Sequence, residues 1–423
     1  MDMLSRILRY ASLLMAAVML FSCQGTIDPE GMGDGTGNEN IDGGNENGGN
    51  ENGGNTGTVT KKELVIDVDK KFVQTFGDDY VTLSVTLGGE PVTENVTFLD
   101  ASDNIIHVED FKFMTTVAGE HKITANYGTY FSNSVTVTAI AVAIPETPED
   151  PNESSTDFKS RVLLTQFTTT GCTWCPSMKL VLKDALNEQY SYSDKVVKVD
   201  CHASTMNRND PAYVHLGEFY EQCDGLLPSV NLDMFVTTGY MSAWGYSGTT
   251  MRAMIDERLA FKAGQAAGIA VNAVATDNQI VAKVVVKAAE TGPYRVGLML
   301  LEDNIVASSS QTQIGTGAQD WMNTHNSVVR YMDAKESRYY YGHPVGEIAA
   351  GDTEEYVFIL DLASIWNDGM LRAQQNGCTW ATKWVNEELH LAVFATTAAA
   401  DGTYYVSNVV DCGINEVTPY EYN

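Results

Sequence analysis

The chain has 423 residues, a formal net charge of −29 and seven cysteines. A surface this acidic repels a phosphate backbone, so the composition argues against nucleic acid as a partner. After the N-terminal segment no apolar run is long enough to span a bilayer, and the remaining length suits two or three domains.

The N-terminal segment has the pattern of an export signal. Arg6 and Arg9 are followed by the apolar stretch YASLLMAAVMLF, which is too short to cross a membrane comfortably. The sequence LFSC, which ends at Cys23, resembles the lipobox of bacterial lipoproteins, in which the cysteine is acylated and becomes the mature N-terminus. The alternative is an ordinary secretory signal in which Cys23 has no role. We expect a signal peptide at 1–22 and a lipid, such as palmitate, on Cys23, which would anchor the protein to a membrane.

Residues 23–59 contain almost no large apolar side chains, and NENGG occurs there twice in tandem. Such a segment cannot bury enough surface to offset its ordering entropy, so we predict a flexible tether. By resemblance to Gram-negative lipoproteins, Gln24 after the cysteine favours transfer to the outer membrane. We therefore expect a lipid-anchored outer-membrane protein, on either the periplasmic or the cell-surface face.

Short runs rich in Val, Ile, Thr and aromatic residues alternate with turns in residues 60–143, among them YVTLSVTL and NSVTVTAIAV. This spacing predicts an all-β sandwich. The stretch AGEHKITANYGTYFSNSVTVTA resembles the closing strands of bacterial immunoglobulin-like domains, which implies a spacer or an adhesive module. Pro and acidic residues dominate 144–157, and this composition predicts a stiff, solvated linker.

The pattern changes in residues 158–265. RVLLTQF, at 161–167, is an almost continuous apolar run of the kind found in buried parallel strands. A loop with Cys172 and Cys175 follows, and Pro176 opens an amphipathic helix. The elements predicted after this helix are a strand, a helix, a strand that begins near a proline, and a final helix, at 195–202, 211–222, 226–233 and 249–264.

This order of elements resembles the thioredoxin fold. The likeness depends on the CTWC loop, on Asp200 at the end of the second strand, and on Pro228, which matches the position where thioredoxins have a cis-proline facing the dithiol. The resemblance implies that Cys172 attacks a partner disulfide, that Cys175 resolves the mixed disulfide, and that Pro228 shapes the groove for the substrate backbone. The Thr-Trp pair between the cysteines departs from the family's Gly-Pro, so redox potential and partner choice are not transferred.

Residues 266–423 return to a β-rich pattern, with GIAVNAVA, QIVAKVVVKA and ELHLAVFATT as examples, and predict a C-terminal β-sandwich. NTHNSVVR, together with the thioredoxin-like segment and the terminal β region, resembles the Omp-twenty-eight-related outer-membrane lipoprotein family over residues 158–415. His325 and Arg330 lie in that stretch. They have two interpretations, binding of an anion or partner and fixing of a turn against the core, and the second is favoured.

Six cysteines remain if Cys23 carries lipid, and an even number in an exported protein predicts disulfides. A zinc site needs four ligands, and the sequence has no second CxxC or CxxH, so no metal or cofactor is expected. Order along the chain favours three bridges, each within one predicted domain: Cys172 with Cys175, Cys201 with Cys223, and Cys378 with Cys412.

The sequence therefore predicts a multidomain protein with an immunoglobulin-like β-sandwich, an α/β thioredoxin-like domain and a C-terminal β-sandwich. The leading hypothesis is an outer-membrane lipoprotein that performs thiol–disulfide exchange, because a helix N-terminus favours the thiolate. Cys172 is then expected to be the more exposed and more acidic thiol. The alternative is a non-catalytic surface protein for binding, adhesion or assembly, with an inert disulfide at Cys172 and Cys175. The sequence does not identify a protein partner.

Overall fold

The computed structural model describes residues 62–423 except for 218, 221–225, 239–246, 277, 335–339 and 380–384. The predicted signal peptide, Cys23 and the tether therefore lie outside the described residues, and so does Cys223. Strands predominate over helices, as expected for a β-rich protein of several sheets. Within the described ranges, no helix is both long and apolar enough to cross a membrane.

The first region is built from two four-stranded sheets, one in which β3 pairs with β1, β4 and β6, and one in the order β2-β8-β7-β5. Alternate residues face inward, so that Leu64 and Ile66 are buried while Val65 between them is 40% exposed. Side chains of both sheets share one core, which confirms the all-β prediction. The strands are β1 (Leu64–Val68), β2 (Phe72–Gln74), β3 (Val81–Leu87), β4 (Glu90–Pro91), β5 (Thr97–Leu99), β6 (Lys112–Phe113), β7 (Gly119–Tyr127) and β8 (Tyr130–Ile140).

The middle region combines strands and helices. β9 and β10 run parallel, and β11 is antiparallel to β9 on its other side. Both helices pack on the same sheet, with Met178 and Leu182 of α1 and Met251 of α2 in one core with Leu164 and Val230. The elements are β9 (Val162–Phe167), α1 (Cys175–Ala185), β10 (Val196–Cys201), β11 (Ser229–Leu232), β12 (Val236–Thr237) and α2 (Gly248–Phe261).

The α-helix predicted at 211–222 is wrong for the described part of that segment, which contains turns, irregular backbone and 3-10 residues at 217, 219 and 220. Tyr213 N–H donates to the main-chain oxygen of Asp210 at 3.2 Å, and Val214 N–H donates to that of His202 at 3.0 Å. Ala212, Tyr213 and Val214 are all buried, so the apolar pattern comes from complete burial and not from one helical face.

The described residues of the last region form eleven strands and one α-helix. They are β13 (Gly268–Ala275), β14 (Gln279–Lys287), β15 (Gly292–Glu302), β16 (Ile305–Val306), β17 (Thr324–His325), β18 (Val328–Asp333), β19 (His343–Ile348), β20 (Thr353–Asp361), α3 (Leu362–Gln375), β21 (Leu389–Ala398), β22 (Tyr404–Gly413) and β23 (Glu416–Thr418). Short 3-10 turns lie at Glu188–Tyr190, Ser193–Lys195, Asp320–Asn323 and Asn386–Glu388.

One sheet crosses the predicted boundary at residue 265. Its order is β12-β11-β9-β10-β18-β15-β21-β22, with β19 also paired to β15. β18 joins β10 in parallel, with Val328 opposite Asp200, so the middle and last regions share their backbone hydrogen bonding. A second sheet, β20-β14-β13-β23, contributes side chains to a core shared with β15 and β21. The middle region is therefore built into the C-terminal sheet.

Residues 144–157 were predicted to be a solvated linker, but the structure attaches them to the last region. Lys287 is 2% exposed, and its ammonium group donates to Asp150 Oδ2 at 2.8 Å and to the main-chain oxygen of Glu153 at 2.7 Å. The hydroxyl of Tyr422 donates to Asp150 at 2.6 Å. Acidic residues of this segment thus satisfy a buried cation, which holds the segment in place.

Candidate functional site

The two cysteines of the CTWC loop lie where β9 passes into α1 and form a disulfide. Hydrogen bonds to Asp210 hold the loop that precedes the two cysteines. One carboxylate oxygen of Asp210 accepts from the Thr169 hydroxyl at 2.7 Å and from the Thr170 N–H at 2.9 Å. Cys175 is the first residue of α1, and its N–H donates to the Cys172 sulfur at 3.1 Å. The structure therefore places the sulfur of Cys172 at a helix N-terminus.

Pro228 comes directly before β11, which pairs with the strand that leads into this loop. The Leu227-Pro228 peptide bond is cis, and β11 begins at the next residue. Ser229 pairs with Phe167, the last residue of β9, so the proline lies at the edge from which the dithiol loop leaves the sheet. Leu227 belongs to the same buried cluster as Cys172 and Cys175.

Cys172 is the more exposed thiol of the pair, as expected, but by a small margin, because it is only 2% exposed and Cys175 is fully buried. Residues 313–315, which we call the strap, cover the loop. Gln313 Nε2 donates to the main-chain oxygen of Cys172 at 3.1 Å, and Ile314 N–H donates to that of Thr170 at 3.0 Å. A side chain on Gly315 would meet the backbone of Thr173, so glycine allows the strap to approach this closely. Trp174, between the cysteines, is 47% exposed.

A buried polar cluster lies beneath the loop and was missed by the sequence analysis. His202 Nδ1 lies 2.9 Å from Asp210 Oδ2, and the rings of His202 and His325 meet edge to face at 4.8 Å. Burial raises the pKa of Asp210, but the contact with His202 outweighs it and holds the pKa below its usual range. Burial, followed by His202 and Lys179 nearby, holds the pKa of His325 well below 6.5. No local sequence pattern connects His202, Asp210 and His325, which is why the cluster was not predicted.

The other cysteines do not all follow the predicted pairing. The bridge between Cys378 and Cys412 is not formed, because both are free thiols in separate cores. Cys378 packs with Tyr213 and Ala373, whereas Cys412 belongs to the core shared by the two C-terminal sheets. Burial raises the pKa of both thiols. Cys201 is buried in the cluster that contains the disulfide, and its predicted partner lies outside the described residues, so that bridge stays a prediction.

His325 and Arg330 lie in different surroundings. Arg330 is 1% exposed on β18, and its Nε lies 3.2 Å from Glu302 Oε2 on β15. This agrees with the structural interpretation of Arg330. His325 instead lines a cavity beside α1. Among the described residues, no group of three or more His, Cys, Asp or Glu side chains is arranged to hold a metal ion.

Comparison with known proteins finds only distant structural similarity. No family model and no curated protein matches it. Among solved structures, the chain is similar to HBP35 of Porphyromonas gingivalis, with 13% sequence identity and a TM-score of 0.43. The match covers 62% of this chain and 77% of that one.

Proposed function

We propose that the protein is an outer-membrane lipoprotein whose residues 158–265 form a thioredoxin-like domain and exchange disulfides through Cys172 and Cys175. The observation that carries this proposal is the disulfide at the junction of β9 and α1. The strand order β10-β9-β11-β12, with only β9 and β10 parallel, supports the fold assignment. Helices α1 and α2 packed on that sheet support it further.

The exchange moves two electrons between the CTWC loop and a partner. In the oxidising direction, a partner thiolate attacks the Cys172 sulfur, a mixed disulfide forms, and the Cys175 sulfur leaves as a thiolate. A second thiolate of the partner then attacks the partner sulfur that is bonded to Cys172 in the mixed disulfide. The partner leaves as a disulfide, and Cys172 and Cys175 become the reduced pair. In the reducing direction, the Cys172 thiolate attacks a partner disulfide and Cys175 resolves the product.

The backbone at the start of α1 favours this chemistry. The Cys175 N–H that donates to the Cys172 sulfur stabilises negative charge on that sulfur when the disulfide opens. Cys175 is fully buried, so an incoming sulfur reaches Cys172 first. Pro228, at the start of β11, borders the loop and would direct the partner's backbone toward it.

Access to Cys172 depends on the strap. With 2% of the side chain exposed, a partner sulfur needs the strap at 313–315 to move before it can align with the disulfide. Gln313 Nε2 donates to three main-chain oxygens of the dithiol loop, those of Thr169, Thr170 and Cys172. These bonds are to neutral groups and each contributes about 1 kcal/mol, so a docking partner can displace them.

The sequence features before residue 62 supply the location. We propose that Cys23 carries the lipid, that residues 23–59 act as a tether, and that residues 60–143 form an immunoglobulin-like spacer. The two four-stranded sheets with a common core support the spacer. Its contacts with the last region, such as Lys71 with Glu354 at 2.7 Å, would hold it against the rest of the exported protein.

Trapping of mixed disulfides in cells tests this function. The variant Cys175→Ser lacks the resolving thiol, so we expect it to accumulate disulfide-linked partners through Cys172. Cys172→Ser is the matched control and should trap none, and Cys378→Ser controls for an unrelated thiol. Absence of any reducible adduct on Cys175→Ser would contradict the proposal.

The second candidate function is a non-catalytic binding or assembly protein, and the burial of Cys172 favours it. In that case the disulfide only stabilises the loop. A variant with serine at both Cys172 and Cys175 would then keep its partner in a pull-down from cells. Under the exchange proposal, the same double variant loses the covalent adducts that the single variant Cys175→Ser traps.

A further inference from the structure

A cavity of about 720 Å³ lies beside α1, one helical turn beyond Cys175 and separate from the covered disulfide. We call it the lysine cavity and define it by five of its lining residues. All of its lining residues lie in the described part of the chain. The five are Lys179 and Lys183 of α1, Lys198 of β10, Trp321, and His325 of β17.

Lys179 is a buried cation, and few neighbouring groups balance its charge. The residue is 7% exposed, and its ammonium group, which has three donors, makes one hydrogen bond with the described residues, at 3.3 Å to the main-chain oxygen of Met322. Burial lowers the pKa of Lys179, and the nearby Asp200 raises it only in part. Asp200 itself is bound by Lys198 at 2.6 Å, so its charge is already shared. Burial of an ammonium group in this way is costly unless a charged partner is present.

His325 adds a second unsatisfied group. It is 2% exposed, and neither ring nitrogen has a hydrogen-bond partner within the described ranges. Its edge-to-face packing on His202 fixes the plane of the ring. The low pKa keeps the ring neutral at neutral pH, with one N–H to donate and one nitrogen to accept. A buried ring with both nitrogens unused, at the wall of a cavity, indicates a polar ligand.

The rest of the lining combines charged and apolar side chains with the neutral polar residues Gln166, Asn187, Thr324 and Asn326. Lys183 Nζ lies 4.4 Å above the ring of Trp321, which is 38% exposed, and Leu182 lines the same wall. Three lysines and two carboxylates line the cavity, and one of these carboxylates, Glu188, is on an exposed residue. This excess of positive charge occurs in a chain with 55 acidic and 26 basic residues, so it does not follow from composition.

We propose that the lysine cavity binds a small organic anion, with a carboxylate or phosphate head at Lys179 and His325 and an apolar body against Trp321 and Leu182. The head would receive charge-assisted hydrogen bonds in a partly dehydrated setting, where such bonds are strong. The body would cover the aromatic wall, as in other concave sites that combine apolar walls with a few placed polar groups. This site is independent of disulfide exchange.

Calorimetric titration of the full chain with phenyl phosphate tests the proposal. Benzyl alcohol is the neutral control, and inorganic phosphate supplies the head without the apolar body. We expect saturable binding of phenyl phosphate, weaker binding of inorganic phosphate, and no measurable binding of benzyl alcohol. Lys179→Met should weaken phenyl phosphate at least about tenfold, whereas Lys195→Met, at an exposed lysine outside the cavity, should leave it unchanged.

Thermal unfolding separates a binding role of Lys179 from a structural one. Methionine removes a buried charge with one hydrogen bond, so Lys179→Met should unfold at the same temperature as the wild type or higher. A lower unfolding temperature would assign Lys179 to the fold and overturn its role as a ligand group. Binding that is unaffected by Lys179→Met, absence of phenyl phosphate binding, or equal affinity for inorganic phosphate would also overturn the proposal.

Discussion

The side-chain amide of Gln313 donates a hydrogen bond of 3.1 Å to the main-chain oxygen of Cys172, although 141 residues separate them in the chain. Through this bond and that of Ile314 to Thr170, the last region of the protein closes over the CTWC loop. We therefore expect the chemistry proposed for Cys172 to be controlled by a segment outside its own strand–loop–helix unit.

A substitution in the strap tests this control. Gly315 has φ of +114°, and a Cβ atom there would lie 2.1 Å from the Thr173 oxygen, so Gly315→Ala should displace the strap. We expect dithiothreitol to reduce the disulfide about tenfold faster than in the wild type. This factor corresponds to a loss of ~1.4 kcal/mol in the stability of the closed strap. Alkylation followed by mass spectrometry measures the rate.

The control for the strap is Gly402→Ala. Gly402 also has a positive φ, of +83°, but nothing lies within 4 Å of a Cβ atom there. It should lose stability from backbone strain, by about 1–2 kcal/mol, without faster reduction of the disulfide. Equal reduction rates in wild type and Gly315→Ala would show that the strap does not limit access.

The free thiols give a second prediction. Peptide mapping of the unfolded, unreduced protein should find Cys172 linked to Cys175 and alkylated thiols at Cys378 and Cys412. Replacing Cys378 and Cys412 with alanine should lower the free energy of unfolding by less than the loss expected for breaking a disulfide, which is about 3 kcal/mol. A peptide that contains Cys378 linked to Cys412 would restore the pairing inferred from sequence order.

A third prediction concerns stability against pH. Burial lowers the pKa of His390, but the carboxylates of Asp303 and Asp411 outweigh it and raise the pKa to about 9. The closer contact is Nδ1 with Asp411, at 2.8 Å, while Nε2 lies 3.5 Å from Asp303. Because the folded pKa exceeds the unfolded value near 6.5, the stabilisation is complete below pH 6.5 and is lost as pH rises through 9.

Denaturant titrations between pH 6 and 10 measure this effect. We expect the free energy of unfolding to fall by about 2 kcal/mol over this window, which allows for partial exposure of the ion pairs. His390→Gln should remove most of the change, while His107→Gln, at an exposed histidine, should retain it. A pH dependence that is identical in wild type and His390→Gln would assign the effect elsewhere.

The fourth prediction concerns anchoring. Cys23 is the candidate for acylation, so Cys23→Ala should leave the protein without lipid and release it from membranes. Fractionation of cells that express each form measures the distribution. Membrane retention of Cys23→Ala equal to that of the wild type would exclude the lipoprotein interpretation.

Local patterns predicted the middle region well. The apolar run before Cys172 is β9, the helix after Cys175 is α1, and the cis-proline position is Pro228. These features depend on periodicity and on neighbouring residues, which a single sequence contains. The helix at 211–222 failed at its start because Val214 N–H donates to the main-chain oxygen of His202 and not to that of Asp210, four residues earlier.

Long-range features were not accessible from the sequence. The pairing of Val328 with Asp200 joins two regions that composition had separated at residue 265. Gln313 donates to the main-chain oxygen of Cys172, and no local pattern connects it with the CTWC loop. The order rule for cysteines failed at Cys378 and Cys412, because proximity in sequence does not bring two residues into the same core.

The most direct test of the central claim is turnover of a model disulfide. Purified full-length protein should accelerate the reduction of insulin by dithiothreitol, and Cys172→Ser should abolish the acceleration while Cys378→Ser preserves it. Because the strap covers Cys172, Gly315→Ala should be faster than the wild type. If neither the wild type nor Gly315→Ala reduces insulin faster than Cys172→Ser, the protein does not exchange disulfides and the scaffold interpretation holds.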